Sequence, residues 1–538
     1  MKRKHLASAV LFLVLCSLFL WTGCTIHAKY LIGDVNGDGI VDMQDAYVLS
    51  RYLSGRFTPI SKENADLSFD GSITETDANV LTQYLAGISK PGTRYASITI
   101  NGADLDAYQI VVSEDDSLFA QWAADQLSDT LENFCGVRLP IVSDKKEETE
   151  YEILIGDTNR VDEDDSEDFP PLSYKIYAQG SKIVLLGQDF MVGGGVGYLT
   201  HELLRSSDAW NTQADISISS EGQLQKYQPQ NPQSVILIIG DGMGENHIRM
   251  ACQPEVRVRD PDGMGTPAAA DSIETFWAAQ FPVAGTVATG NVLGGVTDSA
   301  AAATALATGW KTHNGVLGMR PDAFLGSETD SLRSVQNVRE LASLSGKTTA
   351  ILSTDRITGA TPNGFLVHHS YRYDYSIVEQ QQEALSESDL ACDFLWCSYD
   401  DDRFLSQLQK ALHVASANNS GFFLMAEEAM IDKYATKLDY NETIRTVSRL
   451  NDCVAYAALT AACHPDVAVI VTADHETGGL TILEDGSYTW TSDGEHTGTP
   501  VPVYAMGGGT EIFHSTLVEN TEIAKYIASV FGAASFGG

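Results

Sequence analysis

The chain has 538 residues, of which 43% are hydrophobic and 20% charged, and its formal net charge is −38. A globular chain of this length divides into several domains, because a single hydrophobic core stops growing at roughly 250–300 residues. The excess of acid excludes a nucleic-acid-binding protein, since neutralising phosphates requires clustered Lys and Arg. It favours an acidic, solvated surface combined with cation sites.

Residues 1–24 have the layout of an export signal, because the basic start "MKRKH" precedes an apolar run that ends at "WTGC". "WTGC" resembles a bacterial lipobox with Cys24 as the lipidated residue, although Trp21 stands where Leu is usual. Lipidation at Cys24, plain cleavage and an uncleaved anchor are the alternatives. No later stretch is apolar and long enough to span a membrane. The export signal predicts an extracellular or cell-surface location.

A loop-plus-helix motif occurs twice, at residues 33–55 and 65–87. Each copy has oxygen-bearing side chains at the spacing of a calcium loop, with a glycine at the sharp turn. The candidate calcium ligands are Asp34, Asn36, Asp38, Asp42 and Asp45 in the first copy and Asp66, Ser68, Asp70, Thr74 and Asp77 in the second. Residues 30–90 resemble a dockerin, an EF-hand-like helical module. The resemblance implies that calcium folds this segment and that it binds a cohesin domain on a scaffold protein. A calcium-stabilised spacer is the alternative.

Residues 95–225 alternate strand and helix patterns, from "ASITI" and "YQIVV" through a long amphipathic stretch to "YEILIG" and "SKIVLLG". This alternation predicts a small α/β accessory domain. Its glycine-rich segment "MVGGGVGYL" (191–199) lacks the Gly-Lys-Ser/Thr of a P-loop and is predicted to be a turn.

Residues 233–533 change character, because apolar strand candidates recur and several end in polar clusters. They are "SVILIIGDGMG", "KTTAILSTDRITGATP", "GFFLMAEEAMID", "DVAVIVTADHETGG" and "PVPVYAMGGG". Continuous apolar runs predict strands buried on both faces, and therefore an α/β domain with a mostly parallel central sheet covered by helices on both faces. In such sheets ligands gather at the carboxyl ends of the strands, where Asp, Glu and His residues fall here.

Several of these polar residues suit phosphate and metal chemistry together. Ser299 opens an alanine-rich helix, whose N-terminus favours a phosphate group. Oxygen donors with one or two imidazoles suit Zn²⁺ and Mg²⁺. A guanidinium such as that of Arg372 binds phosphate in a bidentate manner. The candidate metal ligands are Asp241, Ser299, Thr361, Glu427, Asp432, Asp474, His475 and His496.

The order of "DGMG", "TDSAAAATALATG", "GATP", "EEAMIDK", "TADHETGG" and "EHTG" resembles that of alkaline phosphatases. The resemblance implies hydrolysis of phosphate monoesters with two zinc ions and one magnesium ion. It also implies a role for each residue. Ser299 would be the nucleophile and Arg372 would grip the phosphate. Asp241, Asp474 and His475 would bind one zinc, and Asp432 and His496 the other. Asp241, Thr361 and Glu427 would bind magnesium, and Glu428 has no assigned role.

Two positions depart from the family pattern. Thr436 stands where relatives have a zinc-binding His, and Gly359 stands where they often have Asp or His near the magnesium. Three hypotheses follow: an exported phosphomonoesterase, a phosphodiesterase of the same superfamily, and a binding or structural protein that has lost turnover. The family resemblance also makes a homodimer an open alternative to a monomer.

Cys392 and Cys397 are close enough in sequence for a disulfide, and buried free thiols are the alternative.

Overall fold

The computed structural model divides the chain into two compact units, one that ends at Thr93 and one that spans Arg94–Gly538. Within the first unit the described residues are 33–36, 41, 43–54, 60–65, 67, 73–74, 77–78, 81 and 85. The second unit is described over 95–538 except at 115–117, 162–168, 201–211, 254–257, 261–262, 266–272, 324–329, 389, 417 and 419. The predicted export signal and Cys24 lie outside the described residues.

The first unit contains the helices α1 (Met43–Leu53) and α2 (Lys62–Ala65). Its small core consists of Val35, Leu49, Ala65, Leu67 and Leu81, all fully buried. The residues of this core come from both copies of the repeated motif. The two copies therefore pack on each other, as one copy alone has too few apolar residues to form a core.

The second unit opens with two small sheets. Their strands are β1 (Tyr95–Ile100), β2 (Ala103–Asp104), β3 (Gln109–Val112), β4 (Ile141–Ser143), β5 (Glu152–Ile155), β6 (Ser173–Gln179), β7 (Lys182–Gly187), β8 (Thr212–Ile216) and β9 (Leu224–Lys226). The strand orders are β2-β1-β8 and β4-β3-β5-β7-β6-β9. Helix α3 (Leu118–Cys135) packs against the larger sheet through its apolar face.

The prediction of a turn at residues 191–199 is wrong, because Val192–Gly197 forms a buried helix, α4. Glycine is a poor helix former, but here its missing side chain allows close packing. A Cβ on Gly194 would stand 2.4 Å from Tyr174 Cδ1, and one on Gly197 would stand 2.4 Å from the carbonyl oxygen of Ala462. The tertiary contacts therefore override the local preference for a turn.

The remaining strands build the main sheet and smaller ribbons. They are β10 (Ser234–Gly240), β11 (Val258–Asp260), β12 (Gly263–Gly265), β13 (Val283–Ala288), β14 (Thr348–Ser353), β15 (Phe394–Cys397), β16 (Phe422–Glu428), β17 (Val467–Thr472), β18 (Glu476–Thr477), β19 (Thr481–Ile482), β20 (Tyr488–Thr489), β21 (His496–Thr497), β22 (Val501–Met506) and β23 (Leu517–Glu519). The main sheet has the order β15-β14-β16-β10-β17-β22-β13-β23. Strands β15, β14, β16, β10 and β17 are all parallel, which confirms the predicted mostly parallel sheet.

Strand β22 is antiparallel to β17 and β13. The glycines after β22 therefore lie at the opposite edge from the acids that follow the parallel strands. The helices of this region are α5 (Glu245–Ala251), α6 (Ser299–Thr308), α7 (Val338–Leu344), α8 (Ala360–Leu366), α9 (Tyr375–Ser386), α10 (Phe404–Ser416), α11 (Met430–Ala435), α12 (Tyr440–Cys463) and α13 (Thr521–Val530).

Helix α12 joins the N-terminal sheets of this unit to the main sheet. It contacts α3 and α4 as well as β10, β16 and β17. Rings of Trp122 and Tyr456 pack edge-to-face at 5.2 Å, and Gln126 Nε2 donates to Thr460 Oγ1 at 3.1 Å. The largest cluster of buried apolar side chains spans residues 98–531 and includes residues of both sheet systems, whereas a smaller, separate cluster around Val111, Leu154 and Val184 lies within the six-stranded sheet.

Cys392 and Cys397 are both free thiols, so of the two alternatives a disulfide between them is wrong. Burial raises the pKa of Cys392 to about 11 and that of Cys397 still further. Among the described helices, none combines the length and the apolar composition needed to cross a bilayer.

Candidate active site

The predicted site residues lie at the carboxyl edge of the parallel strands. Asp241 follows β10, Glu427 lies at the end of β16, and Asp474 and His475 follow β17. Strand register pairs Ile239 with Glu427, which aligns the ends of β10 and β16. Because the strands are parallel, their ends meet at one edge, and the acids from distant stretches of sequence are brought together.

Three oxygen atoms converge on the buried imidazole of His475. Its Nε2 lies 3.2 Å from Ser299 Oγ, 3.2 Å from Asp474 Oδ2 and 3.4 Å from Asp241 Oδ1. One ring nitrogen carries at most one proton, so it cannot satisfy all three oxygens. Asp474 Oδ2 and Asp241 Oδ1 are buried and have no hydrogen-bond partner. The other oxygen of Asp474 accepts N–H bonds from Gly242 and His475 at 3.0 and 2.9 Å, which fixes its orientation.

A second group adjoins the first. His496 Nε2 lies 3.3 Å from Asp432 Oδ1, and its ring stacks on that of His475 with centroids 3.6 Å apart. The hydroxyl of Thr477 donates to the same oxygen of Asp432 at 2.6 Å. Lys433 places its ammonium 3.1 Å from Asp432 Oδ2 and 4.0 Å from Asp241 Oδ2. This lysine stands between the two groups, and the sequence reasoning assigned it no role.

The charges of this cluster shift the pKa of its members strongly. Burial, together with repulsion from Asp474 and Asp432, raises the pKa of Asp241 well above its usual range. Burial opposes ionisation of Asp432 as well, but the hydrogen bond from His496 and the charge of Lys433 hold its pKa well below that range. Burial lowers the pKa of His475, which favours its neutral form. A neutral imidazole is the form that binds metal.

The donors present fit the metals that the motifs imply. Among the described residues, two groups have ligand atoms within 4.8 Å of one another: Asp241, Asp474 and His475, and Asp432, His475 and His496. A divalent cation among these donors would supply the missing partner of Asp241 Oδ1 and Asp474 Oδ2 and offset the carboxylate repulsion. The structure places His475 in both groups, whereas the sequence reasoning gave it to one.

Thr436 does not complete the second group. It caps the C-terminus of α11 and its side chain is exposed. Its N–H donates to the carbonyl oxygen of Asp432 at 2.8 Å, so it lies one helical turn beyond this ligand. Among the described His, Cys, Asp and Glu residues, the third side chain of this group is therefore His475.

Glu427 and Thr361 lie beside these groups but outside the two sets. Both are fully buried, and Thr361 Oγ1 has no hydrogen-bond partner of normal geometry. The hydroxyl of Ser353 donates a short hydrogen bond to Glu427. Burial first, and then repulsion from Asp355, raises the pKa of Glu427 to about 8. An oxygen-lined site of this kind suits a hard cation.

Arg372 is held near Ser299 by an aspartate that the sequence reasoning missed. Asp298 is the N-cap of α6, and its Oδ1 accepts from the N–H of Ala301 at 3.0 Å. Its Oδ2 lies 3.1 Å from Arg372 Nη1. Since Asp298 precedes Ser299 directly, the ion pair places a guanidinium at the helix N-terminus that presents the Ser299 hydroxyl. Asp298 lies within the quoted motif "TDSAA", but its partner is 74 residues away.

Glu428 points away from the metal groups and is fully buried. Its carboxylate accepts from Arg449 Nε and Nη2 at 2.6 and 2.8 Å, and from Thr354 Oγ1 at 2.8 Å. It therefore ties the ends of β14 and β16 to α12.

Part of the predicted calcium loops can also be placed. Asp34, Asp45 and Asp77 are at most 4% exposed. Asp45 Oδ1 accepts from the N–H of Asn36 at 3.0 Å, and Asp77 Oδ2 accepts from the N–H of Thr74 at 2.6 Å. The acid at the twelfth position thus closes the first loop, whereas in the second it bonds to a residue three positions before it. The ligands outside the described residues are Asp38, Asp42, Asp66, Ser68 and Asp70.

Two parts of the chain match known families. The alkaline phosphatase family model matches residues 232–395 and 399–493, and the dockerin type I model matches residues 32–86. Residues 232–493 belong to the alkaline phosphatase family. The predicted family and the predicted N-terminal dockerin are both confirmed.

Individual alkaline phosphatases are distant in sequence. Alkaline phosphatase 3 of Bacillus subtilis (strain 168) is 26% identical over 54% of this chain and 71% of its own length. Alkaline phosphatase 4 of the same organism is 29% identical over 36% of this chain and 52% of its own length. The solved structure of the alkaline phosphatase from the Antarctic bacterium TAB5 is 24% identical, with a TM-score of 0.47, and the match covers 57% of this chain and 100% of that one.

Proposed function

We propose that the chain is an exported, metal-dependent phosphomonoesterase that acts through a phosphoserine at Ser299. The convergence of Ser299 Oγ, Asp241 Oδ1 and Asp474 Oδ2 on His475 Nε2, within 3.2–3.4 Å, carries this proposal. A hydroxyl is a poor nucleophile alone, and here it stands among the donors of a divalent-metal site. The family membership of residues 232–493 supports the same chemistry.

In the proposed reaction Ser299 Oγ attacks phosphorus and the bond from phosphorus to the alcohol oxygen breaks. The alcohol leaves with the proton that Ser299 loses. Water then attacks the phosphoserine, the bond from phosphorus to Ser299 Oγ breaks, and phosphate leaves. Arg372 and Lys433 bind the phosphate oxygens and orient them, since little but positioning and charge is required. Zinc held by the acids and imidazoles around Ser299 would lower the pKa of the Ser299 hydroxyl and stabilise charge at the leaving oxygen.

The residues that would hold each ion follow from the donors present. Asp241, Asp474 and His475 would bind one zinc, and Asp432 and His496 the other. Magnesium would lie by Asp241, Thr361 and Glu427, where oxygen donors predominate.

The test is hydrolysis of p-nitrophenyl phosphate by the full chain with added Zn²⁺ and Mg²⁺. We expect phosphate release that Ser299→Ala abolishes and that Ser386→Ala, an exposed serine on α9, leaves unchanged. Acid quenching during turnover should trap one phosphoryl group on the peptide that contains Ser299, as detected by mass spectrometry. Equal activity of the Ser299→Ala protein would contradict the proposal.

A catalytically weakened binding or structural protein is the second candidate, and the exposed Thr436 favours it. If the missing imidazole limits turnover, Thr436→His should raise zinc bound per chain and phosphate release. Lys437→His, one residue on and also exposed, is the matched control. A phosphodiesterase is tested by bis(p-nitrophenyl) phosphate in the same assay, and a preference for this diester over the monoester would favour it. Phosphate release that equals the protein-free rate with metals present would establish the inactive alternative.

We further propose that the dockerin binds calcium and attaches the enzyme to a cohesin-bearing scaffold outside the cell. The oxygen donors support calcium binding, because Asp45 and Asp77 are buried at the twelfth position of each loop and each accepts from the backbone of another candidate ligand, Asn36 and Thr74 respectively. Calcium-dependent capture by an immobilised cohesin, lost in Asp45→Ala, tests this proposal separately from catalysis. Binding that persists in chelator would contradict it.

A further inference from the structure

The segment around Arg372 carries exposed aromatic side chains that the proposed reaction does not use. Tyr371, Tyr373 and Tyr375 occupy alternate positions of "YRYDY" and are 42%, 54% and 49% exposed. The ring centroids of Tyr371 and Tyr373 are 5.5 Å apart, and those of Tyr373 and Tyr375 are 6.4 Å apart. Both pairs are nearly perpendicular, at 71° and 87°, which is a preferred geometry for aromatic rings. The three rings therefore form one surface, the tyrosine cluster.

Tyr373 lies directly against the guanidinium of Arg372. The guanidinium carbon is 5.3 Å from the centroid of the Tyr373 ring, which is within the distance of about 6 Å for a cation–π contact. The Arg372 side chain is 17% exposed and is held by Asp298 at 3.1 Å. The backbone is fixed as well, because Arg372 N–H donates to the Gly315 carbonyl oxygen at 2.7 Å, and Gly315 N–H donates to Asp298 Oδ1 and Oδ2 at 3.1 and 3.0 Å. The tyrosine cluster is thus anchored beside the residue that precedes Ser299.

Another exposed apolar side chain is anchored at the same place. Val296 lies three residues before Ser299 and is 44% exposed. Its carbonyl oxygen accepts from Asn314 Nδ2 at 3.0 Å, and Asn314 directly precedes Gly315. Val296 and the tyrosine cluster are therefore both bonded to residues 314–315. A ligand whose phosphate reaches Arg372 finds exposed apolar surface next to its phosphate.

The chemistry of this surface selects the alcohol part of a phosphate ester. Covering exposed apolar area is favourable for any apolar group. A planar aromatic ring gains more, because two rings attract each other through their π-systems when the centroids lie about 4.5–7 Å apart. A saturated ring of the same size gains only the apolar contribution. A small polar alcohol gains neither and leaves the tyrosine cluster in water.

We propose that the site prefers phosphate monoesters whose alcohol carries a planar aromatic ring, and that this ring packs on Tyr373. The inference rests on the proposed function, because it takes the phosphate to be bound at Arg372, and it adds the class of the alcohol. Tyr373 determines specificity and takes no part in making or breaking bonds. Tyr371 and Tyr375 hold its ring through the two perpendicular contacts.

The test measures binding rather than turnover. The full chain, loaded with Zn²⁺ and Mg²⁺, is titrated by calorimetry with benzylphosphonate, cyclohexylmethylphosphonate and ethylphosphonate. A carbon atom replaces the ester oxygen in all three, so none is hydrolysed. We expect benzylphosphonate to bind about 3–10-fold more tightly than cyclohexylmethylphosphonate, which is the affinity equivalent of one aromatic pair.

Tyr373→Ala should bring the Kd values of the two cyclic phosphonates together, whereas Tyr373→Phe, which keeps the ring, should retain the preference. Ethylphosphonate reports any indirect effect through Arg372, because it presents the phosphonate without a ring. Tyr399→Ala is the matched control, since Tyr399 is 49% exposed and has the guanidinium carbon of Arg356 at the same 5.3 Å from its ring centroid. Tyr399 follows β15, which two strands separate from β10, so the ratio of the two Kd values should not change.

Equal Kd values for the two cyclic phosphonates in the unmodified chain would overturn the proposal, and so would a preference that persists in Tyr373→Ala. Neither result affects the proposed phosphatase activity. If none of the three phosphonates binds, the phosphate site at Arg372 is wrong, and this inference is wrong with it. A chain that prefers the aromatic phosphonate but releases no phosphate from p-nitrophenyl phosphate would contradict the proposed turnover and support the role of Tyr373.

Discussion

Glu428→Gln should destabilise the protein although the residue touches no metal group. The change keeps the shape of the side chain but replaces one oxygen with an NH₂, which faces an N–H group of Arg449. Of the two charge-assisted hydrogen bonds, at 2.6 and 2.8 Å, one is lost and the other keeps only a neutral acceptor. A charge-assisted bond contributes about 1.5–3 kcal/mol and a neutral one about 0.5–1.5 kcal/mol, which gives a loss of about 2.5–4.5 kcal/mol. Arg449 keeps Asp400 and Asp402 as partners at 3.1 and 2.9 Å, so we expect a loss near the lower end, about 3 kcal/mol.

The assay is urea unfolding in chelator, followed by tryptophan fluorescence. Glu442→Gln is the matched control, because Glu442 pairs with Arg445 on the same helix at 2.7 Å but is 38% exposed. An exposed pair contributes at most about 1 kcal/mol. Equal effects of the two substitutions would refute the reasoning, because burial would then not decide the strength of the pair. Replacing Glu428 and Arg449 together with apolar residues should recover much of the loss.

Three further predictions concern other parts of the second unit. Gly194→Ala should lower the free energy of unfolding by about 1–3 kcal/mol in urea titrations, since the new Cβ would collide with Tyr174; an unchanged midpoint would mean that α4 can shift. Burial opposes ionisation of Glu152, but hydrogen bonds from a backbone N–H and from Arg160 lower its pKa to about 2, below the ordinary 4.5. Its contribution, about 3 kcal/mol, is present above pH 4.5 and lost as the pH falls toward 2, and Glu152→Gln should remove this slope from the pH dependence of unfolding. Arg372→Lys should weaken competitive inhibition by inorganic phosphate about tenfold, because an ammonium cannot replace the bidentate guanidinium; equal inhibition constants would place the phosphate elsewhere.

The sequence predicted the strands and the edge of the sheet at which the site lies. Apolar runs such as "VILIIG" and "VAVIVT" can be buried on both faces only in a covered parallel sheet, and the order of chain elements then fixes which ends meet. The resemblance of the motifs to a known family predicted a nucleophile and metal donors, and these roles stay predictions. Five of these residues, Asp241, Asp432, Asp474, His475 and His496, form the two groups that the structure brings together.

What the sequence alone determined is the set of residue types and local spacings, which encode strands, loops and family. The tertiary structure decided which distant residues touch. It paired Asp298 with Arg372, and it paired Glu428, which had no assigned role, with Arg449. It also made the glycine-rich segment helical. Atoms of β6 and α12 occupy the space that a Cβ on Gly194 or Gly197 would need, and local sequence does not reveal these contacts. Such contacts depend on strand register and helix packing, which local sequence patterns do not specify.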